Sequence, residues 1–184
     1  MEKNSRPFPA KNHTQNVTYN LKKMMQNLNY WLCNKGTTCD SDDFENESTI
    51  EFIKEVSLIK LKDGRYQISE FGTFRNILDG FGYSIIDNKI AEVLNKHVSD
   101  HIELNPIIIF RRATNEEWTN YSELKIKNQI EFKDYYQTES VGINIYGILN
   151  GLIYITAELK NLMEKELSDL TDIEYKQGLP LMAG

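Results

Sequence analysis

The sequence predicts an α+β fold in a single domain: a small, mainly antiparallel sheet with a hairpin at about residues 57–69, packed against several helices. Three observations predict it. The run SLIKLKDGRYQIS sets β-forming residues on both sides of Asp63-Gly64, and apolar residues recur at helical spacing over 16–33, 87–101 and 140–167. Strand and helix signals also come in separate runs, which disfavours a doubly wound sheet. At 184 residues the chain has the size of one ordinary domain. Residues 1–184 are therefore read as one unit, with mobile segments expected at 1–15 and 178–184.

In chain order, Val17, Leu21, Met24, Leu28, Trp31 and Leu32 repeat at spacings of three and four, the stripe of an amphipathic helix that ends at residues 34–36. Ser48 with Glu51 forms a capping box for a short helix through Glu55, although Ile50, Phe52 and Val56 also alternate as a strand would. After the hairpin, Ser69 caps a short helix carrying Phe71, Phe74, Ile77 and Leu78, stopped by Gly80 and Gly82. A further helix starts at Asp87 and carries Ile90, Val93, Leu94, His97 and Val98 on one side. Asn105-Pro106 forces the chain out of helix before residues 107–110, a compact apolar run expected as a central strand buried on both faces. Leu124 and Ile126 alternate with Glu123, Lys125 and Lys127, as in a strand with one wet face. From 141 to 167, Ile145, Ile148, Leu149, Leu152, Ile155, Leu159, Leu162, Met163 and Leu167 keep helical spacing, predicting one long helix or two. Gly142, Gly147 and Gly151 weaken that helix by about 1 kcal/mol each relative to Ala, while admitting a close neighbour.

Composition narrows the class. A hydrophobic fraction of 40% with 26% charged residues is that of a folded, soluble chain rather than a disordered one. Lys plus Arg total 21 against 27 acids, and the net charge of -6 argues against direct nucleic-acid binding, which draws on excess cations. The acids are concentrated: residues 40–55 carry seven of them and one Lys. Cys33 and Cys39 are too few for a disulfide framework or an all-cysteine zinc site, which suits a reducing cytoplasm. Residues 1–15 show no secretory pattern. The uncharged stretch 140–157 is interrupted by Asn144 and Asn150 and falls short of the roughly 20 residues a membrane span needs, so no membrane association is expected.

Few residues suggest chemistry. His97 and His101, four apart on a predicted helix, have the spacing of two metal ligands, but no Glu follows the first as in a metalloprotease, and packed histidines fit an apolar helix side better. Asp40, Asp42, Asn46, Ser48 and Glu51 match positions one, three, seven, nine and twelve of a calcium loop; Phe44 at position five and Glu45 at the glycine position spoil it. No metal is expected. Nucleophile-elbow, Walker and dinucleotide motifs are missing, so neither a catalytic residue nor a cofactor is predicted. Arg111 and Arg112 are a candidate phosphate or carboxylate clamp, with surface pairing to Glu116 or Glu117 the commoner outcome. The acidic loop instead reads as a contact surface for a cationic partner: Asp40, Asp42, Asp43, Glu45 and Glu47 supply field, and Phe44 an apolar anchor.

The stretch STIEFIKEVSLIKLKDGRYQISEFGTFRNILDGFGYSIIDNKIAEVLNKH, followed by NPIIIFRRATNEEWTNYSELKIKN and preceded by NYWLCNKGTT, resembles the immunity proteins of bacterial contact-dependent growth inhibition systems. The likeness covers about residues 27–130. It implies a cytoplasmic, non-enzymatic antitoxin that binds the C-terminal toxin domain of a large surface-exposed protein, often a nuclease, and blocks its active site or substrate surface. It carries no defined site residues over. Two other readings stand beside it: a small enzyme with a site around His97 and His101, and a scaffold protein acting through the glycine-spaced helix.

Overall fold

The computed structural model describes residues 29–36, 53–80, 82–148 and 151–178. Strands β1 (Tyr30–Asn34), β2 (Ser57–Lys60), β3 (Tyr66–Glu70), β4 (Ile77–Gly80) and β5 (Tyr83–Asp87) precede helix α1 (Asn88–Val98). They are followed by β6 (Ile102–Pro106), β7 (Ile109–Arg111), β8 (Glu116–Trp118), β9 (Tyr121–Ile126), β10 (Gln129–Ile130), β11 (Ile145–Ile148), β12 (Leu152–Ile155), helix α2 (Ala157–Glu166) and β13 (Ile173–Gln177). The architecture is β-rich. Among the described residues the strands form three sheets, ordered β10-β11-β12-β1-β13, β2-β3-β7-β8 and β4-β5-β9-β6, with two α-helices, and this replaces the expected α+β fold with its single small sheet and several helices.

Period-two alternation shows how the sheets stack. The third sheet is the middle layer. One of its faces, with Ile77, Ile86, Leu124 and Ile102, packs on α1, on Leu159 and Met163 of α2, and on Leu32, Ile145, Ile153 and Ile155 of the first sheet. Its other face, with Leu78, Ile85 and Tyr121, packs on Val56, Leu58, Tyr66 and Ile109 around the second sheet. The far side of the first sheet buries Trp31, Cys33, Tyr146, Ile148 and Tyr154 with Tyr135.

The hairpin and α1 follow the sequence closely. β2 and β3 pair antiparallel with Ile59 opposite Gln67, and the turn places Gly64 at φ +87°, where a side chain would be strained. Asp87 caps α1 by accepting from the Lys89 amide at 2.9 Å. Residues 107–110 lead into an interior strand, β7, which lies between β3, its parallel partner, and β8; it is not buried on both faces, since Ile107 and Ile109 are buried but Ile108 and Phe110 only half-buried.

The other expected helices are corrected. Tyr30–Asn34, the described part of the 16–33 segment, is a strand held between β12 and β13, with Trp31 to Asn34 all buried. Three adjacent apolar residues satisfy a helix stripe and a doubly buried strand equally, and only the two flanking strands decide between them. Residues 69–78 are not helical: β3 runs through Glu70, Thr73 bridges Glu55, and β4 begins at Ile77. A Cβ at Gly72 would sit 2.5 Å from the backbone of Glu55 and Lys54, so glycine here serves close chain approach. The 140–167 helix is the antiparallel hairpin β11–β12 followed by α2. Its Ile and Tyr residues fill both sides of a pleated surface better than one helix stripe. The short helix expected up to Glu55 begins outside the described residues, and its described end is extended. Among the described residues, no helix is long and apolar enough to cross a membrane.

Candidate partner-binding surface and its clasp

The acidic segment Asp40, Asp42, Asp43, Phe44, Glu45 and Glu47 lies outside the described residues, but the chain on either side of it is held at one point. That point is Arg75, on the segment leading into β4, with a side chain only 4% exposed. Its Nε donates to Asp172 Oδ2 at 2.9 Å and its Nη2 to Asp172 Oδ1, a bidentate pair with the residue just before β13. Nη1 reaches Glu55 Oε1 at 3.3 Å, and Nη2 also donates to the Lys35 carbonyl. Asn34, at the end of β1, completes the clasp. Its amide exchanges both hydrogen bonds with Ile77 (Nδ2 to O, 2.6 Å; Ile77 N to Oδ1, 3.1 Å), so it pairs β4 as a strand would, and Nδ2 also donates to Glu55 at 3.2 Å. Lys35 and Glu55, which flank residues 37–52, therefore share one buried guanidinium.

An apolar patch sits beside the clasp. Two residues before the members of the parallel bridge Glu55–Thr73 stand Ile53 and Phe71, large apolar side chains that are 52% and 54% exposed. The Arg111 guanidinium lies 4.6 Å from the Phe71 ring centroid, and Lys54 pairs with Glu70 at 3.0 Å. Arg111 makes the expected surface pair with Glu116, at 3.9 Å. Exposed aromatic and aliphatic side chains rimmed by Arg and ion pairs have the composition of a protein-binding hot spot.

His97 and His101 diverge. His97 Nε2 is 2.8 Å from Glu166 Oε1 on α2, whereas His101 Nδ1 meets the Asn128 amide at 3.2 Å. Among the described residues, no group of three potential ligands faces a common point. Glu166 instead belongs to a clasp between α1 and α2. Hydrogen bonds from Lys96 and His97 hold its carboxyl below the ordinary glutamate range, and Lys89 does the same to Asp169. Because these folded-state pKa values are depressed, the stabilisation is complete above the unfolded values of about 4 and is lost as pH falls through the folded ones. Glu166→Gln combined with Asp169→Asn is expected to flatten the acid limb of stability below about pH 4.5. Urea midpoints from pH 3 to 6 measure it, and identical slopes in variant and wild type would contradict it.

A second polar cluster has no sequence signal. Glu123 on β9, placed by alternation on a wet face, is 7% exposed, and its Oε1 accepts from Lys60 Nζ and from Tyr66 Oη (2.9 Å). Burial alone would raise this carboxyl; the Lys60 and Tyr66 hydrogen bonds outweigh it and hold the group below the ordinary glutamate range. Tyr66 moves the other way, its hydroxyl pushed up by burial and by the bond to Glu123. Lys60 and Tyr66 are about sixty residues from Glu123 in the chain, so periodicity carried no trace of the cluster. Compared with family models, curated proteins and solved structures, the chain matches none.

Proposed function

We propose that this chain is an immunity protein that binds the C-terminal toxin domain of a contact-dependent growth inhibition protein and neutralises it in the cytoplasm. The family reading rests on the likeness of residues 27–130. The observation that carries protein binding is the exposed Ile53–Phe71 patch under Arg111, beside the point where both flanks of the acidic segment are held. Carboxylates at Asp40, Asp42, Asp43, Glu45 and Glu47 suit a nuclease cleft shaped for phosphates, and they raise the encounter rate with a cationic partner. Phe44, Ile53 and Phe71 supply the desolvated anchors that affinity needs.

Two experiments test the reading. Co-purification with the toxin domain encoded beside it, and protection of cells expressing that domain, are expected of the wild-type chain; failure of both defeats the assignment. Within the complex, Asp42→Lys with Asp43→Lys is expected to slow association and reduce its salt dependence. Phe71→Ala is expected to act on dissociation, weakening binding by about thirtyfold, or about 2 kcal/mol. Unchanged kinetics in both variants would move the interface elsewhere without touching the assignment.

A further inference from the structure

We propose that β13 pairs with β13 of a second copy of this chain, antiparallel and centred on Tyr175, so that two first sheets join into one. β13 ends its sheet as an edge strand. The other edges are short or blunted: β8 and β10 span three and two residues, β6 ends in Pro106, the Asn34 amide takes both outward groups of Ile77 on β4, and Tyr83 donates to the Leu58 carbonyl on β2 (3.4 Å). On β13 the Asp172 carbonyl accepts from the Lys35 amide (2.9 Å) and the Gly178 amide donates to the Asn29 carbonyl (3.2 Å), which fixes the parity of the β1–β13 ladder. Glu174 and Lys176 turn their backbone groups to β1, while those of Ile173, Tyr175 and Gln177 point away from the sheet. Among the described residues these outward groups make no hydrogen bond.

The sequence of the strand, Ile173-Glu174-Tyr175-Lys176-Gln177, selects its own copy as the occupant. With Tyr175 facing Tyr175 of the second copy and Ile173 facing its Gln177, every outward N–H meets a carbonyl. The same register sets Glu174 opposite Lys176 of the second copy, once on each side of the two-fold axis, at the closely spaced positions where cross-strand charges interact most. No neighbouring register does both. A slide of one residue breaks the parity of the hydrogen bonds, and a slide of two sets Glu174 against Glu174 or Lys176 against Lys176. Charges on an edge strand blunt its pairing with most strands; here they are self-complementary, as an isologous contact requires. Space is also available. Beside β13, a groove of about 500 Å³ lined by Leu167, Leu170, Ile173 and Tyr175 opens under the end of α2, on the face that Tyr175 shares with its partner Leu32, and it gives the second Tyr175 ring an apolar wall.

Sedimentation velocity and amide hydrogen exchange of the full chain, from about 1 to 500 μM, test the pairing. The wild-type chain is expected to dimerise with a Kd of about 50 μM, as befits a small interface. Exchange at the Ile173, Tyr175 and Gln177 amides is expected to slow as concentration rises, while Glu174 and Lys176, already bonded to β1, stay unchanged. Glu174→Lys and Lys176→Glu each set like charges opposite one another on both sides of the axis, and each is expected to weaken dimerisation by about thirtyfold. Mixing the two variants restores opposite charges at both pairs, and so does the double variant that exchanges the two residues; both are expected to regain wild-type affinity, which a merely structural role of either residue would not produce. If a single variant unfolds, the double variant and the exchange pattern decide. A wild-type chain that stays monomeric throughout the range, a dimer that leaves the three amides unslowed, folded single variants that dimerise as wild type, or a mixture of them that fails to associate would overturn the proposal. None of these outcomes depends on toxin binding.

Discussion

Replacing Asp172 by Ala is expected to lower the unfolding free energy by about 3–5 kcal/mol, more than replacing Arg75 itself, its partner, by Met. The asymmetry follows from which charge is left behind. The Arg75 side chain is 4% exposed, so without Asp172 a guanidinium stays in the interior with only Glu55 and the Lys35 carbonyl. Asp172 is 39% exposed and Glu55 33% exposed, so without Arg75 both carboxylates regain water, and the cost of Arg75→Met reduces to the unpaired groups, about 1–3 kcal/mol. Either loss acts on several elements together, because the clasp joins the end of β1, the segment around Glu55, the approach to β4 and the approach to β13. Chemical denaturation of both variants measures the order. If Arg75→Met proves the more damaging, the guanidinium is better hydrated than its burial indicates. On the proposed immunity function, Asp172→Ala also weakens toxin binding, because it loosens the point that holds Lys35 and Glu55 together.

Tyr66→Ala is the second large effect, about 3–5 kcal/mol, of the size of other large aromatic truncations in a core. Tyr66 is fully buried between the second and third sheets, its ring edge-on to Tyr83 with centroids 5.3 Å apart. Its hydroxyl serves Glu123, so Tyr66→Phe isolates the polar share: the ring stays, a bond to a carboxylate is lost, and about 1.5–3 kcal/mol is expected. Denaturation midpoints at matched m-values separate the two shares. A Phe variant as damaged as the Ala variant would mean that the hydroxyl, not the ring, holds the sheets together, and a loss below 1 kcal/mol in both would contradict the burial of Tyr66.

How much was legible depended on the range of the interactions that decide each element. Asp63-Gly64 and the Asp87 cap act within a few residues, so the hairpin and α1 stand where local chemistry put them. At 140–167, Ile145, Ile148, Leu152 and Ile155 fit a helix stripe; as β11 and β12 the same residues, with Tyr146 and Tyr154, fill both faces of a sheet. Intrinsic propensities differ by less than what burial on two faces contributes, so the tertiary partner wins. The acidic segment was visible as charge, but the exposed Phe71 was not: it looked like a core residue of a short helix and is exposed where Gly72 lies against the 54–55 backbone.

By itself, the sequence determined the composition class, the one strong hairpin turn, α1 and the concentration of acids at 40–55, because each is a property of adjacent residues or of a sum over them. Tertiary structure alone decided the three-sheet stack, the burial of Glu123, the divergence of His97 from His101, and the gathering of Asn34, Glu55, Arg75 and Asp172 at one point. Each of these depends on partners far apart in the chain. A sheet's hydrogen bonds and a buried charge's counterion are chosen by which strands close together, and periodicity in one strand contains no record of the strand it will face.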